Sequence, residues 1–280
     1  MPVVPTQSRP FLVAGVDGSR AGLLALDWAA DQAARRNWLL KAIHVIEQPG
    51  SDDTLMHDEA TAELARLGCT DGQLESRSGR PAEILLEESR EARLLVIGRR
   101  DGGGFAELTA WSTSQICTAL ARTSLVVVPD SWQPDRSEEG LIVVGVDGSP
   151  SGQSALGFAF EAAAERDAEL VLVHVPSDPG PQLPLGLRAN PERAPWHQDA
   201  QRVLREALAG WPEKYPEVVF RSNFRPGHPV EVLAQHSEYA DLMVVGGVER
   251  SHFTPLRLGS VSRGLLHHTR CPLAIVHQEP

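Results

Sequence analysis

Short apolar segments alternate along the chain with longer amphipathic ones. The apolar segments are β-branched and continuous, which is typical of strands buried on both faces. They are Phe11–Asp17, Leu39–Ile46, Leu94–Gly98 and Leu125–Val128, and then Leu141–Asp147, Leu170–Val175, Leu242–Gly246 and Leu273–Val276. Ala-rich amphipathic stretches at 21–35 and 153–166 predict helices, each preceded by a serine suited to the N-cap. Alternating strands and helices predict parallel sheets covered by helices on both faces.

The two sets of segments form an internal duplication. Val-Asp-Gly-Ser at 16–19 recurs at 146–149, and His-Val at 44–45 recurs 130 residues later at 174–175. After 176–195, which is rich in Pro and Gly, the offset between the copies grows to 148. We therefore expect a long surface loop there. The repeat predicts two doubly wound α/β domains, residues 1–133 and 138–280.

Composition narrows the range of functions. The chain of 280 residues has 26 Lys and Arg against 37 Asp and Glu, a formal net charge of −11. Such an acidic surface repels polyphosphate, so we expect no nucleic-acid partner. No apolar run reaches the roughly 18–20 residues of a membrane span, and the N-terminus does not resemble a secretory signal. Three scattered cysteines fit a reducing cytosol, which predicts a cytoplasmic protein.

The ordered motifs resemble those of the universal stress protein family, and in particular its tandem members. The resemblance lies in Gly-Val-Asp-Gly-Ser after the first strand, His-Val after the second, Gly-x-Pro before the third helix and the glycine ending the fourth strand. It implies two five-stranded sheets of order 3-2-1-4-5, paired through their last strands within one chain. Whether the whole chain also forms a homodimer is left open. The resemblance also implies a stress-response role, with ATP binding as in many members.

The candidate nucleotide site lies where the strand order reverses, beyond the carboxyl ends of the strands. There Asp147 can accept hydrogen bonds from ribose or adenine, although it could instead only cap the next helix. The family's phosphate pattern, Gly-x2-Gly-x9-Gly-Ser/Thr, is met in the second copy except that Glu249 replaces its second glycine. The candidate binding residues are Gly145, Val146, Asp147, Val175, Gly246, Gly247, Gly259, Ser260, Val261 and Ser262.

The first copy departs further from that pattern. Asp101 and Trp111 stand where the second and third glycines belong, so we expect the first copy to be empty. In the second copy the negative charge of the Glu249 carboxylate would repel a triphosphate and so disfavour its binding. Two hypotheses therefore stay open: ATP or another adenine nucleotide as a regulatory ligand of the second copy, or a nucleotide-free scaffold.

No residue pattern indicates catalysis or metal binding. The chain lacks a Gly-x-Ser-x-Gly elbow, and His267-His268 have no acidic or cysteine partner at ligand spacing. His44 and His174 are expected to be structural. We expect a protein that is not an enzyme, with weak ATP hydrolysis left open.

Overall fold

A computed structural model describes residues 9–47, 54–69, 72–100, 112–134, 140–176, 195–247 and 259–277. The chain divides into two compact units, Met1–Asp130 (unit 1) and Ser131–Pro280 (unit 2). None of the helices in the described ranges is both long and apolar enough to cross a bilayer.

Unit 1 is a five-stranded parallel sheet with four helices among its described residues. Its elements are β1 (Phe11–Val16), α1 (Arg20–Arg36), β2 (Leu39–Ile46), α2 (Thr54–Arg66), β3 (Gln73–Ser78), α3 (Pro81–Glu88), β4 (Leu94–Arg99), α4 (Thr113–Leu120) and β5 (Leu125–Pro129). The strand order is β3-β2-β1-β4-β5.

Unit 2 repeats this plan. Its elements are β6 (Leu141–Gly145), α5 (Pro150–Arg166), β7 (Glu169–His174), α6 (Pro195–Leu208), α7 (Trp211–Lys214), β8 (Phe220–Phe224), α8 (Pro229–Ser237), β9 (Leu242–Gly246), α9 (Ser260–His268) and β10 (Leu273–Val276). All its strand pairs are parallel, in the order β8-β7-β6-β9-β10.

The inner strands β4 and β9 confirm the predicted parallel α/β architecture of each copy. Their first four residues are all buried, and because successive side chains alternate between the two faces of a sheet, both faces must be covered. The predicted serine caps are also present, since the Ser19 and Ser149 hydroxyls accept hydrogen bonds from the amides of Gly22 and Gly152. The predicted domain limits and the pairing of the two last strands stay predictions.

A charged cluster distinguishes the β2–β3 side of unit 1. Lys41 Nζ donates to Glu88 Oε2 at 2.6 Å, and Arg77 Nε donates to Glu88 Oε1 at 3.1 Å. The hydrogen bond from Lys41 is the main cause that lowers the pKa of Glu88. In unit 2 a polar pair lies between the matching elements β8 and α8, where Asn223 Nδ2 is 3.0 Å from His236 Nε2.

Candidate functional site

The turn after β6 holds Asp147 in a fixed orientation. Its Oδ1 accepts hydrogen bonds from the backbone amide of Ser149 at 2.9 Å and from the Ser149 hydroxyl at 2.6 Å. Ser149, and not Asp147, caps α5. Across the described residues no donor reaches Asp147 Oδ2, and the residue is exposed. The carboxylate is therefore oriented by the turn and keeps one oxygen available to solvent.

A glycine that the sequence analysis overlooked makes room for this carboxylate. A β-carbon on Gly152, in the first turn of α5, would lie 2.7 Å from Asp147 Oδ1. Gly22 has the same relation to Asp17 in unit 1. The spacing Asp-Gly-Ser-x-x-Gly occurs in both copies, so the repeat itself contained the signal.

Gly246, at the end of β9, contacts the first turns of two helices, α5 and α9. A β-carbon there would lie 2.8 Å from both the carbonyl carbon and the oxygen of Ser151, in the first turn of α5. The Gly246 carbonyl also accepts a hydrogen bond of 3.1 Å from the Ser262 hydroxyl, in the first turn of α9. Packing against α5 thus explains the glycine without a ligand.

The N-terminus of α9 has no side-chain cap within the described part of the chain. Its N-cap residue is Gly259, and its first turn contains no acidic residue. Ser260 is exposed, whereas Ser262 is buried and its hydroxyl is engaged with Gly246. The fourth residue is Arg263, which is also exposed. Free amides at a helix N-terminus beside a cation favour an anion.

Gly247, the next predicted site residue, is held by internal contacts. Its amide donates to the carbonyl of Val276 at 2.7 Å. A β-carbon on it would overlap Nδ1 and Cε1 of His277, a buried residue just after β10. Sequence reasoning gave this glycine a phosphate-binding role, whereas its geometry is accounted for by His277.

The remaining predicted residues of unit 2 lie in or beside the sheet. Gly145 is packed by Leu233 of α8, whose Cδ1 would be 3.2 Å from an added β-carbon. The buried His174 ring is 2.7 Å from the carbonyl of Val146 through Nδ1, so it joins the ends of β6 and β7. Val175 follows directly and is half-buried.

In unit 1 the corresponding groups are occupied by the unit's own side chains. Asp17 Oδ1 accepts from Ser19 as in unit 2, but Asp17 Oδ2 also accepts a 3.0 Å hydrogen bond from Arg100 Nη2. At the start of α4, Ser112 and Gln115 form a reciprocal capping box. Arg100 aligns with Val248, which cannot form an ion pair, and Gln115 aligns with Arg263.

Three residues on which the sequence predictions depended, Asp101, Trp111 and Glu249, lie outside the described residues, as do 177–194. In the part that is described, no group of three His, Cys, Asp or Glu side chains could hold a metal ion. Burial raises the pKa of the Cys117 and Cys271 thiols to about 12, which makes them poor nucleophiles in the folded protein.

Comparison with known proteins shows that both units match one protein family in sequence. Residues 11–129 and 141–277 each match the model of the universal stress protein family. The chain is 32% identical over 291 residues to universal stress protein Rv2005c of Mycobacterium tuberculosis, covering 95% of this chain and 97% of that protein. It is 29% identical over 312 residues to universal stress protein Rv1996 of the same species, covering 98% of both.

A solved structure agrees with the fold. The crystal structure of a universal stress protein from Archaeoglobus fulgidus DSM 4304 aligns with a TM-score of 0.68 at 17% identity, over 96% of this chain and 98% of that one. At that identity the likeness bears on the fold alone.

Proposed function

The chain belongs to the universal stress protein family. We propose that it acts in the stress response by binding an adenine nucleotide in unit 2, and that ATP is the preferred nucleotide. Family membership supports the stress-response role. The nucleotide, its restriction to unit 2 and a cytoplasmic location are our inferences. The proposed role is regulatory binding without a catalytic step.

One observation supports the choice of unit 2. Among the described residues, two groups that a nucleotide needs have no competing side chain in unit 2: the second carboxylate oxygen of Asp147 and the helix N-terminus at Gly259. The equivalent groups of unit 1 are taken by Arg100 and by the capping box of Ser112. Since both units share one fold, the difference lies in the availability of these groups.

The groups have complementary chemistry. Asp147 Oδ2 can accept hydrogen bonds from ribose hydroxyls or an adenine amine. The free amides of the first turn of α9, with the exposed Arg263 nearby in sequence, favour phosphate. The Ser260 hydroxyl lies at the same helix start. Bound there, a nucleotide would bridge two elements of unit 2 and so change the surface offered to a protein partner.

A nucleotide-free scaffold is the second candidate, and packing favours it. Gly246 and Gly247 are explained by contacts with α5 and with His277, and the amide of Gly247 is already bonded to Val276. Glu249 adds a carboxylate where the family pattern has glycine. Under this hypothesis the open helix end would be filled by water, and purified protein would hold no nucleotide.

A matched pair of carboxamide variants distinguishes the two candidates. Asp147→Asn retains an oxygen that can accept the Ser149 bonds but removes the charge, so we expect ATP affinity to fall about tenfold. Asp17→Asn makes the same change in unit 1 and should leave ATP affinity unchanged. Isothermal titration calorimetry with ATP and adenosine measures both affinity and stoichiometry.

The expected stoichiometry for the wild-type chain is one nucleotide per chain. If calorimetry detects no ATP binding at millimolar concentration, and mass spectrometry of the denatured protein finds no released nucleotide, the scaffold hypothesis replaces this one. If both carboxamide variants weaken binding equally, the restriction to unit 2 is wrong.

A further inference from the structure

We propose that His277 is a positioning residue for the site, fixing the position of Gly247 directly after β9. This inference rests on the proposed function for its ligand and on the packing of Gly247 for its geometry. His277 has a relative exposure of 6%, an uncommon degree of burial for an imidazole at a strand end. Its position in the sequence is remote from the site, 30 residues beyond Gly247.

The contact between His277 and Gly247 is direct. The ring atoms Nδ1 and Cε1 occupy the space in which any side chain at 247 would begin. The Gly247 amide also donates to the Val276 carbonyl at 2.7 Å. One peptide segment, Val276–His277, therefore holds Gly247 by its backbone and by its imidazole.

Unit 1 shows the alternative arrangement. The residue after its strand-four glycine is Arg99, which has a β-carbon, and β5 ends there in Pro129, which aligns with His277. Arg99 pairs with Pro129 in the parallel ladder. A side chain is thus accommodated at this position when proline replaces the imidazole. Unit 2 has glycine and histidine at the two positions where unit 1 has arginine and proline.

The consequence for the site is geometric. Gly247 follows Gly246, which contacts α5 and accepts the hydrogen bond from Ser262 of α9. A shift of Gly247 would therefore move the groups that join both helix ends. We infer that the imidazole controls nucleotide affinity through this position without contacting the nucleotide.

A double-mutant cycle tests the assignment. Gly247→Ala places a β-carbon in the imidazole and should weaken ATP binding about tenfold or more, with a lower urea midpoint. His277→Ala only removes atoms, so it should fold and should weaken ATP binding by about threefold. In the double variant the space vacated by the ring accepts the new methyl group, so ATP affinity and urea midpoint should both recover toward those of His277→Ala.

A second readout does not depend on a ligand. The Gly247 amide should exchange slowly with deuterium in the wild-type protein, and His277→Ala should accelerate that exchange about tenfold while leaving Val245 unchanged. Arg99→Ala, the matched change in unit 1, should leave both amides and ATP affinity unaltered.

The outcomes separate this proposal from the one on which it rests. If ATP does not bind but exchange and urea midpoint show the expected coupling, His277 sets the chain path and the nucleotide function fails. If ATP binds and Gly247→Ala is equally harmful with or without the imidazole, the nucleotide function stands and the role of His277 is overturned. Unchanged Gly247 exchange in His277→Ala also overturns it.

Discussion

Units 1 and 2 place the same turn, strand ends and helix starts in equivalent positions, yet they treat the resulting polar groups differently. Arg100 and the Ser112–Gln115 capping box satisfy those groups in unit 1. In unit 2 the corresponding positions hold Val248 and Arg263, and α9 begins at Gly259 without a side-chain cap. The comparison teaches that two units can keep the same backbone frame while a few side chains decide which polar groups of that frame are already satisfied.

The largest expected effect concerns the buried cysteines, one in each unit. Because both thiols are buried, which also raises their pKa to about 12, they should react with N-ethylmaleimide only when their unit opens. ATP at about 100 times its Kd stabilises the unit that binds it by about 2.7 kcal/mol. Labelling of Cys271 should therefore slow about 100-fold, while labelling of Cys117 should not change.

Peptide mass spectrometry measures both rates in one sample, and the half-exposed Cys69 serves as an internal control because it should react first. Adenosine at the same multiple of its own Kd should give the same protection. Slower labelling of Cys117 alone would contradict the assignment of the site to unit 2. Equal slowing of both thiols would show that the two units open as one.

A smaller effect is expected from exchanging the helix caps. Arg263→Gln gives α9 the sequence Ser-Val-Ser-Gln, matching the Ser-Thr-Ser-Gln of the α4 capping box, so that Ser260 can replace Gly259 as the N-cap. The new box would occupy amides of the first turn and remove a positive charge, so ATP affinity should fall by about 1 kcal/mol, or about fivefold. Adenosine affinity, measured by the same calorimetry, should change little because adenosine lacks phosphates.

The reciprocal variant is the control for this exchange. Gln115→Arg removes half of the capping box of α4 and should lower the stability of unit 1 by several tenths of a kcal/mol. It should not create ATP binding, because Arg100 still pairs with Asp17. A second ATP site in Gln115→Arg would mean that the helix cap alone closes unit 1.

Regular apolar strands made the fold predictable from the sequence. The central strands are buried on both faces, so their composition alone identified them, and the duplication doubled the signal. The edge strands β3 and β8 were not located on residues in this way. Their sequences, Gln-Leu-Glu-Ser-Arg-Ser and Phe-Arg-Ser-Asn-Phe, contain consecutive polar residues instead of an apolar run, and much of their surface faces solvent.

The site was less predictable than the fold. Spacing located Asp147, Gly246 and Gly259, but it could not distinguish a glycine needed for phosphate from one needed for packing. That distinction depends on long-range neighbours such as His277, 30 residues from Gly247, and Ser151, 95 residues from Gly246. The ion pair of Arg100 with Asp17 likewise joins residues 83 positions apart, which no local pattern reveals.

The charged cluster of unit 1 makes the stability of that unit depend on pH in the acidic range. The hydrogen bond from Lys41 is the main cause that holds the folded pKa of Glu88 below its ordinary value of 4.5. Ionised Glu88 therefore stabilises the folded state at pH values above 4.5, and this stabilisation is lost as the pH falls through the folded pKa. In unit 2 burial raises the pKa of Asp241 above 3.8, which makes the folded state gain stability as pH falls through the raised pKa.

Through these two groups, acidification lowers the stability of unit 1 and raises that of unit 2, so we expect unit 1 to unfold first as the pH falls. Limited pepsin digestion between pH 5 and pH 3 should cut unit 1 before unit 2, and Glu88→Gln should reduce the change in the unit 1 cleavage rate across that range. Cleavage of unit 2 before unit 1 would contradict this prediction. A stress that lowers pH would then loosen one half of the molecule while the half proposed to hold the nucleotide stays folded.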